Sequence, residues 1–180
     1  MKILNRKLSP QDFMRYIHEM KTPFRKIDSL VFHHTSSPVE TWQGSKSMLH
    51  YYNIYQSRGW RSGPHIFIAP DGIWLFTPIK KRGTHATKEA ARHSIGIEIV
   101  GRYNEGPPTD ETMCKYIALV AETLWMKFNI DPKNMKCHWD FDKFTFCSPH
   151  VNGDWIRMNR ALHTDYIRSI YINTLKGIRG

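Results

Sequence analysis

The sequence has few cysteines, no long hydrophobic run and a shortage of acidic side chains. Cys114, Cys137 and Cys147 are an odd number without framework spacing, which excludes a disulfide scaffold and points to synthesis in a reducing compartment. No stretch has the length and apolarity of a bilayer span, and the opening Met1–Lys7 is charged without the apolar core of a signal peptide. Repeats, low-complexity tracts and an interdomain linker are also absent, so one globular domain is expected from 180 residues that are 41% hydrophobic. Lys and Arg outnumber Asp and Glu by 26 to 16, a formal charge of +10. A surface of that sign favours polyanionic partners. No nucleic-acid reader motif accompanies the charge, so no stable nucleic-acid partner is expected.

Local patterns predict the order of elements. Ser9-Pro10 opens a helix with a cap and a proline at its first position, and Phe13, Ile17 and Met20 give it one apolar face. Leu30-Val31-Phe32 is a buried strand that ends on the pair His33-His34. A helix follows from Gly44 to near Gly59, then strand, turn and strand over 65–76 with Asp71-Gly72 at the turn. His93–Gly101 is another short strand, apolar enough to be central yet carrying one carboxylate, Glu98. Thr109 is placed to cap a helix whose stripe is Met113, Ile117, Val120, Leu124 and Phe128, and a last helix begins after Gly153. The expected fold is α/β, a single compact domain with a central mixed β-sheet flanked by helices. Residues 1–26 would form a helical extension and 27–180 the main domain, in one globular unit.

The chemistry concentrates in Lys136–Cys147, where His138 and Cys147 lie on one loop that can fold both donors onto one ion. His34, at the end of a buried strand, is a third candidate ligand because its backbone is held rigidly. Two imidazoles and one sulfur leave a fourth tetrahedral zinc position open, as in catalytic sites. The competing chemistry is a Cys147 nucleophile with His138 or His150 as base, but no helix start precedes the thiol to lower its pKa. His65 and His85 are expected in the cleft, as substrate contacts or supports of the ligands. Alternation along Ile95-Gly96-Ile97-Glu98-Ile99 puts Glu98 on the face opposite the isoleucines. Trp60, flanked by Arg58 and Arg61, is the preferred aromatic contact for a substrate, ahead of Tyr51, Tyr52 and Trp74.

An ordered series of segments resembles the zinc-dependent N-acetylmuramoyl-L-alanine amidases, the group that includes phage amidases and peptidoglycan recognition proteins. The series is Phe32-His33-His34-Thr35, His65–Gly72, Gly83-Thr84-His85-Ala86, His93–Gly101 and His138–Cys147. The resemblance implies zinc held by His34, His138 and Cys147, with His34 preferred to His33 because it directly precedes the threonine. It implies cleavage of the amide between N-acetylmuramic acid and L-alanine in peptidoglycan, and Glu98 as the base, as in the members that resemble bacterial cytoplasmic muropeptide amidases. Many members have a tyrosine where this chain has Pro64. Lys143 and Thr145 are candidates for stabilising the developing oxyanion. The setting expected is a phage endolysin acting as a monomer, made in the cytoplasm and reaching the wall after release or delivery. The alternative is a non-catalytic peptidoglycan-binding module or regulatory protein of the same fold.

Overall fold

A computed structural model describes every residue except 24, 144, 146, 148, 149, 179 and 180, together with the side chains of 177 and 178. Six strands form one mixed sheet in the order β1-β4-β3-β5-β2-β6. They are β1 (Arg6–Leu8), β2 (Ser29–His34), β3 (Ile66–Ala69), β4 (Gly72–Leu75), β5 (Ser94–Ile99) and β6 (Met135–Cys137). β3, β5, β2 and β6 run parallel, whereas β4 is antiparallel to both β3 and β1. Among the described residues, helices α1 (Pro10–Glu19), α2 (Ser45–Ser57), α3 (Lys88–His93), α4 (Glu111–Phe128), α5 (Gly153–Leu162) and α6 (Thr164–Ile178) surround it.

The period-two alternation of the central strands divides the molecule into two layers. Leu30 and Phe32 of β2, Ile95, Ile97 and Ile99 of β5, and Ile66 and Ile68 of β3 enter the larger core with α1, α4, α5 and α6. α4 is buried over a broad arc, adding Ala118, Leu119 and Ala121 to the expected stripe, because helices as well as the sheet pack around it. Each large aliphatic so buried contributes about 1.5–3 kcal/mol. The second layer is smaller and aromatic: Met48 and Tyr55 of α2 pack on Phe67, Trp74 and Phe76. β5 is enclosed on both faces, and every one of its residues is buried.

The helix starts follow side-chain capping. Ser9 Oγ accepts from the Asp12 N–H at 3.1 Å and starts α1 as expected. α4 is capped one residue later than expected: Asp110 Oδ1, not Thr109, accepts from the Met113 N–H at 2.8 Å. The C-terminal region is two helices rather than one, parted at His163. The first 26 residues supply the edge strand β1 as well as a helix, with Arg6, Lys7 and Leu8 paired to β4. All three cysteines are free, and no helix of the described residues is long and apolar enough to cross a membrane.

Candidate active site

Parallel pairing of β2 with β5 sets His33 beside Glu98, and pairing of β3 with β5 sets Phe67 on Glu98's other side. Residues paired in this way share a sheet face, so His33 and Glu98 both turn away from the large core, in the layer of Phe67. From the loop after β6, His138 and Cys147 reach the same place. Ligand atoms of His33, His138 and Cys147 all lie within 4.8 Å of one another. Cys147 Sγ is 3.6 Å from His33 Nδ1, and the two imidazole rings are 4.8 Å apart between centroids.

The first ligand expected from the sequence is therefore corrected by one residue. His34 has the parity of Leu30 and Phe32, on the opposite side of the strand from His33. Its Nδ1 accepts from the Tyr103 N–H at 3.0 Å, and its Nε2 lies 3.4 Å from Ser36 Oγ.

Hydrogen bonds fix which atoms of the cluster are free to ligate. Ser94 Oγ donates to Ala90 O at 2.6 Å, so toward His85 Nε2, at 3.3 Å, it accepts. His85 Nδ1 is then the acceptor for the N–H at His33 Nε2, 3.3 Å away. That tautomer leaves the lone pair of His33 Nδ1 facing Cys147. On the opposite side, Thr145 Oγ1 accepts from the Cys147 N–H at 3.2 Å and meets His138 Nδ1 at 3.1 Å. If His138 donates to this oxygen from Nδ1–H, its Nε2 is left free to ligate. Thr145 thus ties two members of the cluster together.

Electrostatics favour metal ligation over nucleophilic catalysis. Burial pushes the Cys147 thiol up to about 12, with Glu98 adding to the effect. Such a thiol stays protonated at neutral pH unless a cation takes the sulfur, which argues against a free thiolate nucleophile. His33 and His138 are both held below the usual imidazole range, chiefly by burial, and so remain neutral donors. Two neutral imidazoles and one sulfur are a donor set suited to zinc with an open position. Glu98 is 9% exposed and burial raises its carboxyl to about 8.

The other expected site residues are placed as follows. His65 is fully buried and cannot be a substrate contact: its Nδ1 accepts from the Gly96 N–H at 2.9 Å and its Nε2–H donates to Lys81 O at 3.0 Å. Burial, with the nearby Arg25 charge, lowers it to about 3. His85 is also buried, and its contact with His33 makes it a support of the cluster rather than a substrate contact. It fits only because position 96 is glycine; a Cβ there would overlap the His85 ring. Lys143 is exposed with its ammonium 5.4 Å from the Trp139 ring centroid, and among the described contacts none joins it to the cluster. Trp60 lies flat on Tyr55, the ring centroids 5.0 Å apart and the planes at 8°, so one of its faces is covered. A cavity of about 440 Å³ lies in the helical layer, lined by residues such as Met14, Thr123 and Ile167, and none of the cluster residues borders it.

Comparison with known proteins agrees with this geometry. The model of a family described as N-acetylmuramoyl-L-alanine amidase matches residues 23–153. No curated protein matches the chain. Among solved structures, N-acetylmuramoyl-L-alanine amidase LysC from Clostridium intestinale URNW is similar, with TM-score 0.63 and 23% identity over 74% of this chain and 85% of that one. Drosophila PGRP-LB gives TM-score 0.59 and 24% identity over 74% and 82%. The Ph2119 endolysin from a Thermus scotoductus MAT2119 bacteriophage gives 0.53 and 20% over 86% and 99%. At these identities the structures establish the shared fold.

Proposed function

The chain belongs to the N-acetylmuramoyl-L-alanine amidase family, and on that basis we propose that it cleaves the amide between the lactyl group of N-acetylmuramic acid and the L-alanine of the stem peptide, with Glu98 as base. The observation that carries this reading is the His33–His138–Cys147 cluster beside a buried carboxyl. These three side chains would hold the zinc. When bound, zinc supplies Lewis acidity toward water and the amide carbonyl.

The chain's own residues then divide the work. Glu98 accepts a proton from the attacking water and delivers it to the departing alanine nitrogen, so it must start ionised and end ionised. Burial alone raises the metal-free carboxyl to about 8, and the positive charge of a bound zinc would favour the ionised form that this role requires. His85 and Thr145 hold His33 and His138 in the tautomers that ligation needs, and they act through those ligands. The surplus of basic residues favours association with an anionic wall polymer.

The setting we propose is lytic, as an endolysin that acts as a monomer on the wall after release or delivery. The similarity to a clostridial amidase and to a phage endolysin supports this setting. Incubation with purified muropeptides, followed by mass spectrometry, tests the reaction. The expected products are a free lactyl carboxylate and a stem peptide with a new alanine amino group, lost on chelation and restored by zinc. Tight binding of intact muropeptides without those products would favour the wall-binding alternative.

A further inference from the structure

Two polar side chains in the layer of His33 make no hydrogen bond to the described residues. One is the Glu98 carboxyl and the other is the Tyr55 hydroxyl, which are 9% and 7% exposed as residues. Neither is among the described atoms that are both fully buried and unpaired, so each polar end keeps some access to the cleft beside the ligand cluster.

Tyr55 is in the last turn of α2, and its ring is held on several sides. Trp60 is stacked parallel at 5.0 Å, Phe76 meets it edge-on at 5.7 Å and Tyr51 lies at 6.3 Å. The ring also crosses Gly63, where an added Cβ would come within 2.9 Å of Tyr55 Cδ2. These contacts hold the ring and leave only the hydroxyl unengaged. The aromatic bank continues to Phe67, 5.3 Å from Phe76 and 5.1 Å from Tyr51. Phe67 is the sheet neighbour of Glu98, and Glu98 is the sheet neighbour of His33. Tyr55, Glu98 and the ligand cluster therefore follow one another along a single face. Pro64, next to Gly63, has neither an N–H nor a polar side chain to offer there.

The electrostatics agree with this placement. The phenol is pushed well above its ordinary value, by burial first and then by the fields of Glu98 and Tyr51, with a smaller effect of Cys147. It keeps its proton at neutral pH and can act there as a hydrogen-bond donor. A rigid donor that needs no reorganisation is what an oxygen gaining negative charge requires. Glu98 cannot fill that role while it is ionised.

We propose that the Tyr55 hydroxyl, held by Trp60, Phe76 and Gly63 on the face of Glu98 and His33, donates a hydrogen bond to the scissile carbonyl oxygen as charge develops on it. The proton stays on the phenol throughout, and no covalent bond to Tyr55 forms. The inference rests on the amidase reading and adds to it a residue from α2. It also explains why an aromatic side chain at helical spacing is rigidly packed yet leaves its polar end unpaired.

The test is Tyr55→Phe in the full, zinc-loaded chain, with kcat and KM on a purified muropeptide, zinc content and thermal stability. Loss of one such donor lowers kcat by roughly 10²–10³-fold. KM, zinc content and the melting temperature should stay at wild-type values, because the ring and its packing are retained. A wild-type kcat in Tyr55→Phe overturns the proposal, as does a raised KM with kcat unchanged, which would make the hydroxyl a ground-state contact. Failure of the wild-type protein to cleave overturns the amidase reading itself and with it this proposal. Cleavage by both proteins at equal rates removes Tyr55 alone.

Discussion

Glu98→Gln should stabilise the metal-free protein in a pH-dependent way while abolishing its activity. The Glu98 carboxyl has its folded value near 8, against an ordinary 4.5, because it is buried without a hydrogen-bond partner. A raised carboxyl binds its proton more tightly when folded than when unfolded. Its contribution is therefore complete below pH 4.5 and is lost as pH rises from 4.5 to 8. At about 1.36 kcal/mol per pH unit, the loss between pH 5 and pH 7 is about 2.5 kcal/mol. Glutamine does not ionise in either state, so the variant escapes this loss. Any fixed cost of burying its amide is the same at both pH values and cancels. Urea unfolding of chelated wild-type and variant protein at pH 5 and 7 measures the difference, and the variant's relative stability should grow by about 2.5 kcal/mol over that interval. On muropeptide its cleavage should fall by roughly 10²–10⁴-fold. An equal stability difference at both pH values would refute the buried, unpartnered carboxyl, and retained cleavage would remove it as the base.

Thr145→Val keeps the shape of the side chain but removes the hydroxyl between His138 and Cys147. Zinc affinity in chelator competition should drop about 10–100-fold; unchanged affinity would show that the ligands need no such tie. Gly96→Ala drives a methyl into the His85 ring, which should cost roughly 1–3 kcal/mol in urea unfolding and weaken zinc binding together. A variant as stable and as well loaded as wild type would contradict the close packing. His65, with its folded value near 3, stabilises the protein above pH 6.5, and this contribution is lost as pH falls from 6.5 toward 3. His65→Gln should flatten the dependence of unfolding free energy on pH in that window by up to about one proton, and an unchanged slope would show that the imidazole titrates freely.

What could be read in the sequence was mostly local. The α1 cap, the strand-turn-strand over 65–76, and the alternation that sets Glu98 apart from Ile95, Ile97 and Ile99 each depend on residues within one element. β1 and β6 are three residues each, too short to carry a period, and exist because they pair at the two edges of the sheet. The preference for His34 rested on the threonine that follows it, and the strand itself offered no check on it. In Leu30-Val31-Phe32 three consecutive apolar residues hide the parity of the strand, since a central strand is buried on both faces. Only the helical layer decides that Leu30 and Phe32, and with them His34, face the large core. Likewise, nothing local to Thr145 shows its bonds to both His138 and Cys147, and nothing local to His85 shows that Gly96 makes room for it. Those relations cross between elements distant in sequence.

The metal content of single-ligand variants tests the central claim most directly. Wild-type protein and His34→Ala should each retain one equivalent of zinc by elemental analysis after dialysis, whereas His33→Ala, His138→Ala and Cys147→Ala should retain none. Zinc retained by His33→Ala but lost from His34→Ala would mean that the strand presents its other face to the loop, and the site described here would be wrong.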